Sequence, residues 1–564
     1  MLAEFTTVPR VAYFSMEIAL RPEIHTYAGG LGILAGDTMR SCADLELNMV
    51  VVSLVSHAGY FLQTIDERGC QQEDIDPWNP ADWAQPLDAK ITVSIQGRKV
   101  WVGGWLFRLQ GRGGGEQPVI LLDTDLNENQ DDDRKLTHYL YGDSEIYRLK
   151  QEMVLGIGGV RILQALGFRI FHYHLNEGHS ALLAVELLRR NARGQSDLRK
   201  GESPYSVADV RERCSFTTHT PIEAGHDKFS YTLVRDVLTD FIDLHIIEDL
   251  AGSDVMNMTR LALNLSETIN GVTQRHAEIS RQQFPQYAVR AITNGVHPTT
   301  WTCPSMAALY DRYFPGWGHE PELLVRADCC LPAEEIWSAH AEAKRQLLAK
   351  INTVNQVQFD PDVFLLGFAR RMTAYKRPDL LFSDLQRLSA IAQTRPLQIV
   401  LAGKAHPADL GGKQLIETLH HHIRELAADI NIAFIPNYGM ATALALVSGV
   451  DLWLNTPMPP LEASGTSGMK AAFNGVPNFS VLDGWWREGC IEGVTGWSIG
   501  EADASDPAKD TYSLYQKLEQ IILPLYYDDR EGWIKVMHGA ISKNASVFNS
   551  HRMMRRYVTE AYIK

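Results

Sequence analysis

Long hydrophobic runs are missing from this sequence, and no apolar stretch reaches the roughly 18 residues that a membrane-spanning helix requires. The first ten residues have no basic segment followed by an apolar core, so we expect no secretory signal. Internal repeats, heptad runs and low-complexity segments are lacking as well. The 564 residues, 45% of them hydrophobic and 21% charged, are therefore typical of a globular protein with two large domains or three smaller ones.

Positive charge and cysteine are both scarce. The formal net charge of −15 makes a nucleic-acid surface or an anionic membrane an improbable partner, and a chain this acidic must concentrate cations locally if it binds phosphate. Seven cysteines show no zinc spacing, and an odd number does not indicate a disulfide framework. We therefore predict reduced thiols in a cytoplasmic protein.

Apolar runs of strand length alternate with helical patterns over nearly the whole chain. The predicted strands are 11–15, 50–55, 119–123, 168–173 and 214–218 in the first half, and 362–367, 397–402, 431–435 and 449–454 in the second. The predicted helices are 148–166, 177–190, 335–351, 378–393, 412–427 and 547–562. Apolar strands separated by helices predict parallel sheets, and hence an α/β fold of two Rossmann-like doubly wound lobes facing a cleft.

Proline, glycine and tryptophan residues break the pattern between about 300 and 330, where we expect the boundary between the lobes. We predict an N-terminal lobe over residues 1–310 and a C-terminal lobe over 311–545. The basic helix in the remaining segment, 546–564, is predicted to pack back on the first lobe.

The stretch Glu462-Ala-Ser-Gly-Thr-Ser-Gly-Met-Lys470 follows an apolar strand and precedes a helix. Its small residues would let backbone amides approach a phosphate, and Lys470 in the first helical turn would be favoured as the neutral amine. Such a lysine suits a Schiff base, and pyridoxal 5′-phosphate carries both an aldehyde and a phosphate. The alternative from these residues alone is a glycine-rich turn with a solvated lysine.

A second cluster concentrates positive charge directly after an apolar strand. The stretch Gly367–Arg377 contains Arg370, Arg371, Lys376 and Arg377 in an otherwise acidic chain. A charge run is usually a salt-bridged surface helix. Because ligands collect at the carboxyl ends of parallel strands, its position favours a phosphate clamp instead.

Two further patterns are weaker. The stretch Ala28–Asp37 is glycine-rich and offers backbone amides where a loop enters a helix, but it does not fit the dinucleotide fingerprint. His172, His174, Glu177 and His179 lie close in sequence without a standard zinc spacing, so we predict no metal site.

These motifs together resemble the α-glucan (glycogen and maltodextrin) phosphorylases of the compact bacterial and archaeal type, over about residues 11 to 490. The resemblance implies a glycosyltransferase of the GT-B fold that binds pyridoxal 5′-phosphate. It also implies retaining phosphorolysis of α-1,4-glucans to α-glucose 1-phosphate, with glucan and inorganic phosphate as partners and a possible homodimer.

Residue roles are carried over from the matching motifs. The resemblance implies catalytic roles for Arg371, Lys376, Gly30 and His219. It implies cofactor contacts for Lys470, Arg370, Gly465, Thr466, Ser467 and Tyr438. It implies substrate contacts for Glu462, Ser464, Asn294, Tyr375, Leu31, Gly29, Glu17, Asn176 and His179.

Two alternatives stay open. A nucleotide-sugar glucosyltransferase of the glycogen-synthase kind shares two lobes and a phosphate clamp, but it has no use for a lysine Schiff base. A glucan-binding relative without turnover is the other, because Ser56, His57 and Gly439 depart from the family pattern.

Overall fold

Strands and helices alternate along the chain in a computed structural model that describes residues 2–142, 144–194, 196, 198–199, 203–222, 225–239, 241–355, 358–502 and 506–563. One compact unit comprises Met1–Tyr60, Ile75–Ile292 and Met554–Lys564, and the other comprises Phe61–Asp74 and Thr293–Met553. The short segment 61–74 therefore belongs to the second unit. The lobe boundaries at residues 310 and 545 stay predictions.

The strands follow one another as Arg10–Ser15 (β1), Met49–Leu54 (β2), Leu62–Ile65 (β3), Gln71–Asp74 (β4), Gln85–Pro86 (β5), Ile91–Ile95 (β6), Arg98–Gln110 (β7), Glu116–Asp123 (β8), Ile170–Asn176 (β9), Cys214–Thr217 (β10), Lys228–Ser230 (β11), Val255–Asn257 (β12), Thr268–Gly271 (β13), Arg290–Ala291 (β14), Phe364–Ala369 (β15), Leu397–Ala402 (β16), Asn431–Ile435 (β17), Leu452–Asn455 (β18), Asn478–Val481 (β19) and Gly496–Ile499 (β20).

The first unit is built on a sheet in the order β14-β13-β10-β9-β1-β2-β8-β7-β5, with β6 paired to β7. All pairs from β14 to β8 are parallel, whereas β7 runs antiparallel to β8. The chain builds outward from β1 through β2 to β8 and then returns to place β9 on the other side of β1. The strand order therefore reverses between β1 and β9, which makes the carboxyl ends of these strands the expected ligand site.

The second unit contains a fully parallel sheet in the order β17-β16-β15-β18-β19-β20. In chain order this is 3-2-1-4-5-6, the order of a doubly wound dinucleotide-binding sheet, and the reversal lies between β15 and β18. The prediction of a mixed α/β fold with parallel sheets is confirmed.

The α-helices of the first unit are Ala3–Thr6, Gly30–Asp44, Asp131–Arg134, Glu145–Met153, Gly159–Ala165, Leu182–Arg190, Val207–Arg211, Tyr231–Leu238, Leu244–Ala251, Met258–Asn264 and Gln274–Gln283. Those of the second unit are Pro298–Trp301, Pro304–Tyr313, Ala327–Cys330, Ala333–Asn355, Leu385–Thr394, Leu410–Glu425, Met440–Gly449, Ser467–Ala472, Trp486–Gly489, Pro507–Lys517, Leu523–Asp528 and Arg530–Gly539. The last α-helix is Ser550–Tyr557, and a π-turn over Val558–Tyr562 continues it.

The predicted helix 378–393 begins too early. Two short 3₁₀ turns, Ala374–Lys376 and Leu380–Phe382, come before the α-helix that starts at Leu385. Arg377 lies between the turns with a φ of 44°, a left-handed conformation that interrupts a helix. The side chain of Asp384 then caps the helix by accepting from the Arg387 amide.

None of the described helices is long and apolar enough to cross a membrane. All seven cysteines are thiols, and none of them forms a disulfide with another described residue.

A buried ion pair ties the long helix Ala333–Asn355 to the second sheet. Asp451, just before β18, accepts from Lys344 Nζ at 2.6 Å and contacts His340 Nε2 at 2.9 Å. It also accepts from the backbone amide of Leu365 in β15 at 2.7 Å. Burial alone would raise the pKa of Asp451, but Lys344 and His340 lower it below its usual range.

We expect Asp451→Ala to lower the free energy of unfolding by about 3–5 kcal/mol at neutral pH, because it leaves the ammonium group of Lys344 buried without its anion. The pKa of Asp451 is depressed in the folded state, so its contribution is present above the unfolded value of 3.8 and is lost as the pH falls below it. Urea unfolding at several pH values measures this effect. Asp429→Ala, at an exposed position, is the matched control, and equal losses in the two variants would contradict the prediction.

Candidate active site

The order reversal of the second sheet brings the basic stretch Gly367–Arg377 and the stretch Glu462–Lys470 together. Arg370 follows β15 and Glu462 lies beyond β18, and Arg370 Nη2 donates to Glu462 Oε2 at 2.6 Å. Lys376 Nζ lies 2.5 Å from the same oxygen. All three side chains are at least nine-tenths buried, so the predicted cations form a buried cluster around one carboxylate.

The charged groups in this cluster shift one another's pKa values. Burial alone would raise the pKa of Glu462, but Arg370 and Lys376 lower it to about 2, so the carboxylate is ionised at every physiological pH. Burial and the neighbouring Arg370 lower the pKa of Lys376 to about 7, while Glu462 opposes that shift. The cluster thus concentrates basic side chains in a chain whose overall charge is −15.

Arg370 keeps donors for a further anion. Its Nε and Nη1 atoms are buried and have no hydrogen-bond acceptor among the described residues. The hydroxyl of Ser464, in the stretch Glu462–Lys470, is likewise buried without a hydrogen-bond partner in the described part of the chain. Unsatisfied buried donors are costly, so these groups are suited to bind an anion.

The predicted cofactor lysine, Lys470, is buried on the six-residue helix Ser467–Ala472. Its Nζ lies 3.7 Å from the ring centroid of Trp301. Asn474 fixes this pair, since its side-chain amide donates to the carbonyls of Trp301 at 2.7 Å and Lys470 at 3.0 Å. An amine held against an aromatic face in a buried environment fits covalent attachment of an aldehyde.

Asp483 supports the backbone of Glu462. Its carboxylate accepts from the amide of Glu462 at 2.8 Å and from the amide of Gly484 at 2.9 Å. Burial raises the pKa of Asp483 to about 6, and the negative charge of Glu462 adds to that shift. Gly484 has to be glycine because its φ is 55° and a Cβ there would lie 2.3 Å from the Ser464 carbonyl oxygen.

In the first unit, Glu177 organises the ends of β9 and β10. Its carboxylate accepts from the backbone amides of Gly178 and His219 and from the Thr220 hydroxyl, at 2.8–3.0 Å. Asn176 Oδ1 lies 2.6 Å from His219 Nε2. Burial lowers the pKa of His219 to about 3, so the ring is neutral and Nε2 carries its proton toward Asn176.

Glu17, beyond the end of β1, holds the start of the glycine-rich stretch Ala28–Asp37, called the glycine loop from here on. Its Oε2 accepts from the amides of Ala28 at 2.6 Å and Gly29 at 3.0 Å, and Tyr141 donates to its Oε1 at 2.8 Å. The helix begins at Gly30, which is exposed. A Cβ at Gly32 would lie 2.7 Å from Glu17 Oε2, so this position requires glycine.

The remaining predicted residues lie in the second unit, except Leu31 and His179, which lie in the first. Tyr375 places its ring 4.5 Å from Lys376 Nζ, and Tyr438 follows β17. Asn294 is buried, and its Oδ1 has no partner among the described residues. Leu31 and Arg371 are partly or fully exposed, as are Gly465, Thr466 and Ser467. The roles of all these residues stay predictions.

Residues 240–488 match the family model described as carbohydrate phosphorylase. The maltodextrin phosphorylase of Thermococcus litoralis is 36% identical over 98% of this chain and 70% of its own length. The glycogen phosphorylase of Aquifex aeolicus is 34% identical over 98% of this chain and 86% of its own. The glycogen phosphorylase of Mycobacterium tuberculosis is 33% identical over 98% and 70%. This chain belongs to the carbohydrate phosphorylase family. The expectation drawn from the sequence motifs is thereby confirmed.

Several groups that shape the candidate site of this phosphorylase family member were not predicted from the sequence. Trp301 was noted only as a break in the pattern near the lobe boundary, and Asp483 was not singled out, because nothing local in the sequence links either residue to Lys470 or Glu462. Asn474 was missed although it lies about one helical turn after Lys470, a spacing that could have indicated the contact. The hairpin of β3 and β4 was also missed. Gln63 in that hairpin donates to the Gly403 carbonyl and accepts from the Asn437 amide, both at 2.8 Å, and so joins the loops after β16 and β17.

The raised pKa of Asp483 predicts a pH-dependent contribution to stability. The protonated form of Asp483 is favoured in the folded state. Its contribution to stability is therefore present below pH 3.8, the usual pKa of an aspartate, and is lost as the pH rises to about 6. We expect the difference in unfolding free energy between the wild type and Asp483→Asn to change by on the order of 3 kcal/mol over that range. Urea unfolding at closely spaced pH values measures it, and a difference that stays constant with pH would refute the assignment.

Proposed function

We propose that this chain is an α-glucan phosphorylase, a glycosyltransferase that transfers the terminal glucosyl unit of an α-1,4-glucan to inorganic phosphate. The observation that carries the proposal is the buried cluster of Arg370, Lys376 and Glu462 at the order reversal of the second sheet, in a chain of the carbohydrate phosphorylase family. The products are a glucan shortened by one unit and α-glucose 1-phosphate. Two lobes of the GT-B type facing a cleft are part of this proposal.

The carboxylates of this cluster already accept hydrogen bonds from cations or backbone amides, which argues against glycosidase chemistry. Glu462 is held by two cations, and Asp483 accepts from two backbone amides. A standard glycosidase needs one carboxyl group as acid and another as base or nucleophile. Inorganic phosphate can perform both tasks: it gives a proton to the departing glycosidic oxygen, and its own oxygen then bonds to the anomeric carbon from the same face.

The residues present fit pyridoxal 5′-phosphate. Lys470 offers a buried amine against Trp301, and Arg370 has two buried N–H groups without acceptors among the described residues. Gly465, Thr466, Ser467 and Tyr438 would complete the cofactor contacts. When bound, the cofactor would supply a phosphate group as the acid that assists inorganic phosphate. Lys470 anchors it and does not attack the substrate.

Cations and amides of this chain would hold the substrate phosphate. We assign Arg371, Lys376 and the amide of Gly30 to that task. Fixed donors aimed at developing charge are usually the largest contribution to catalysis in such sites. The exposure of Arg371 and Gly30 leaves both able to contact a ligand.

Hydrogen-bonding groups would bind the sugar, which offers hydroxyls and no charge. We assign this role to a set of side chains and backbone groups. The set comprises Glu17, Gly29, Leu31, Asn176, His179, His219, Asn294, Tyr375, Glu462 and Ser464. The neutral imidazole of His219 can donate or accept a hydrogen bond without adding charge. A cytoplasmic location and a homodimer stay predictions from the sequence.

The decisive test incubates purified protein, supplied with pyridoxal 5′-phosphate, with maltoheptaose and inorganic phosphate. We expect α-glucose 1-phosphate from a yellow protein, and loss of both colour and product in Lys470→Ala, because the amine that holds the cofactor is gone. Colourless protein that binds a sugar nucleotide would favour the nucleotide-sugar glucosyltransferase. A yellow protein that forms no product would favour the glucan-binding relative.

A second test separates the phosphate contact from the glucan contacts. We expect Arg371→Ala to raise the KM for phosphate by on the order of 10- to 100-fold, because a charge-assisted contact is lost. The KM for maltoheptaose should change by no more than about twofold. Arg387→Ala, at a half-buried position on the helix Leu385–Thr394 where the side chain pairs with Glu519, is the control. Equal changes in both KM values would contradict the role of Arg371.

A further inference from the structure

A short hairpin from early in the chain lies in the second unit and has no part in the roles assigned above. Its strands β3 and β4 are antiparallel, with Leu62 opposite Asp74. A two-stranded hairpin is only marginally stable by itself, so contacts with the rest of the unit have to hold it. Gln63 on β3 and Gln71 on β4 make such contacts, and both side chains are buried.

The carboxamide of Gln63 binds two loops at once. Its Nε2 donates to the Gly403 carbonyl and to Gln71 Oε1, and its Oε1 accepts from the Asn437 amide, all at 2.8 Å. A glutamine side chain has two N–H donors, and both are used here. Gln63 therefore connects the hairpin to the loop after β16 and to the loop after β17.

Gln71 adds to the contacts with the loop after β16. Its Oε1 accepts from the Ala405 amide and its Nε2 donates to the Ala405 carbonyl, both at 3.0 Å. Lys404 donates from Nζ to the carbonyl of Phe61, which leads into the hairpin, at 2.7 Å. Three consecutive residues of this loop, 403–405, are thus each bound to the hairpin segment.

The same loop lies against the backbone that carries Arg370. The Arg370 amide donates to the Ala402 carbonyl at 3.2 Å, and the Met372 amide donates to the Lys404 carbonyl at 2.9 Å. A Cβ at Gly403 would lie 2.1 Å from the Arg370 carbonyl oxygen, so this close approach requires glycine. Because backbone packs on backbone here, a shift of Gly403 would shift Arg370 with it.

The loop after β17 leads to another predicted cofactor contact. Asn437 has a φ of 55°, in the left-handed region that asparagine adopts more readily than most residues. Its Oδ1 accepts from the backbone amide of Gln63 at 3.3 Å, while its own amide donates to the Gln63 side chain. This reciprocal pair of hydrogen bonds holds the residue that directly precedes Tyr438.

We propose that Gln63 is a positioning residue, which holds the loops after β16 and β17 and, through them, the backbone of Arg370 and Tyr438. Arg370 would then present its buried Nε and Nη1 donors at fixed positions to the phosphate group of pyridoxal 5′-phosphate. The consequence for the cofactor rests on the proposed function, whereas the hold on the two loops does not.

Hydrogen–deuterium exchange tests the hold on the loops without a ligand. Gln63→Leu removes both the donor and the acceptor of the side chain, so the amides of Arg370, Met372 and Asn437 should exchange about tenfold faster or more. Gln72→Leu is the matched control, because Gln72 is an exposed glutamine of the same hairpin, and it should leave the exchange unchanged. If Gln63→Leu does not fold, Gln63→Met, which keeps the length of the side chain, takes its place. Exchange at the wild-type rate in the folded variant would overturn the proposal.

Cofactor affinity tests the positioning of Arg370. The full chain, freed of cofactor, is titrated with pyridoxal 5′-phosphate and separately with pyridoxal, which has the aldehyde but no phosphate. We expect Gln63→Leu to weaken binding of the first by on the order of tenfold and of the second by no more than about twofold, because only a phosphate group needs the donors of Arg370. Gln72→Leu should bind both as the wild type does. Equal losses for both ligands would refute the positioning role, since a hairpin that only stabilised the unit would weaken them alike.

The two measurements separate this proposal from the proposed function. If the wild-type protein bound no pyridoxal 5′-phosphate and formed no α-glucose 1-phosphate, the proposed function would fail. Faster exchange in Gln63→Leu would still support the hold on the loops in that case, and unchanged exchange would refute it.

Discussion

The buried carboxylate of Glu462 is the constraint on which the second unit depends. A carboxylate out of water has to be paired, and the order reversal between β15 and β18 supplies its partners from a distant part of the chain. Arg370 and Lys376 can in turn be buried because the negative charge of Glu462 pairs with their positive charge. Glu462 accepts from both basic side chains, and Nε and Nη1 of Arg370 still have no acceptor among the described residues. The site is thus preorganised for an anion before any ligand arrives.

The first unit solves a related problem with neutral donors. Glu177 is also buried, yet it accepts from two backbone amides and a hydroxyl rather than from cations. Those contacts fix the loop that carries His219, whose ring stays neutral because burial opposes its protonation. A buried glutamate is thus satisfied differently in each unit, by cations for Glu462 and by neutral donors for Glu177.

The sequence predicts those features of the site that have a local cause. The apolar runs before Arg370 and Glu462 predict strands, and parallel strands bring their carboxyl ends to one edge, so these residues could be expected near each other. Contacts set by distant segments could not be anticipated. Gln63 joins two loops of the second unit only because a hairpin from early in the chain packs there, and no periodicity encodes that placement. Trp301 likewise meets Lys470 through tertiary packing alone.

The departures from the family pattern have structural explanations that bear on the glucan-binding alternative. His57 makes a contact of its own in the first unit, since its Nε2 lies 3.0 Å from the carboxylate of Asp123. Burial lowers the pKa of His57, but Asp123 and its neighbour Asp125 raise it, and the pKa lies above its usual value. A contact between His57 and Asp123 within that unit occupies the position. Gly439 precedes the helix Met440–Gly449 with an extended φ of −147°, which any residue adopts, so the backbone does not require glycine there.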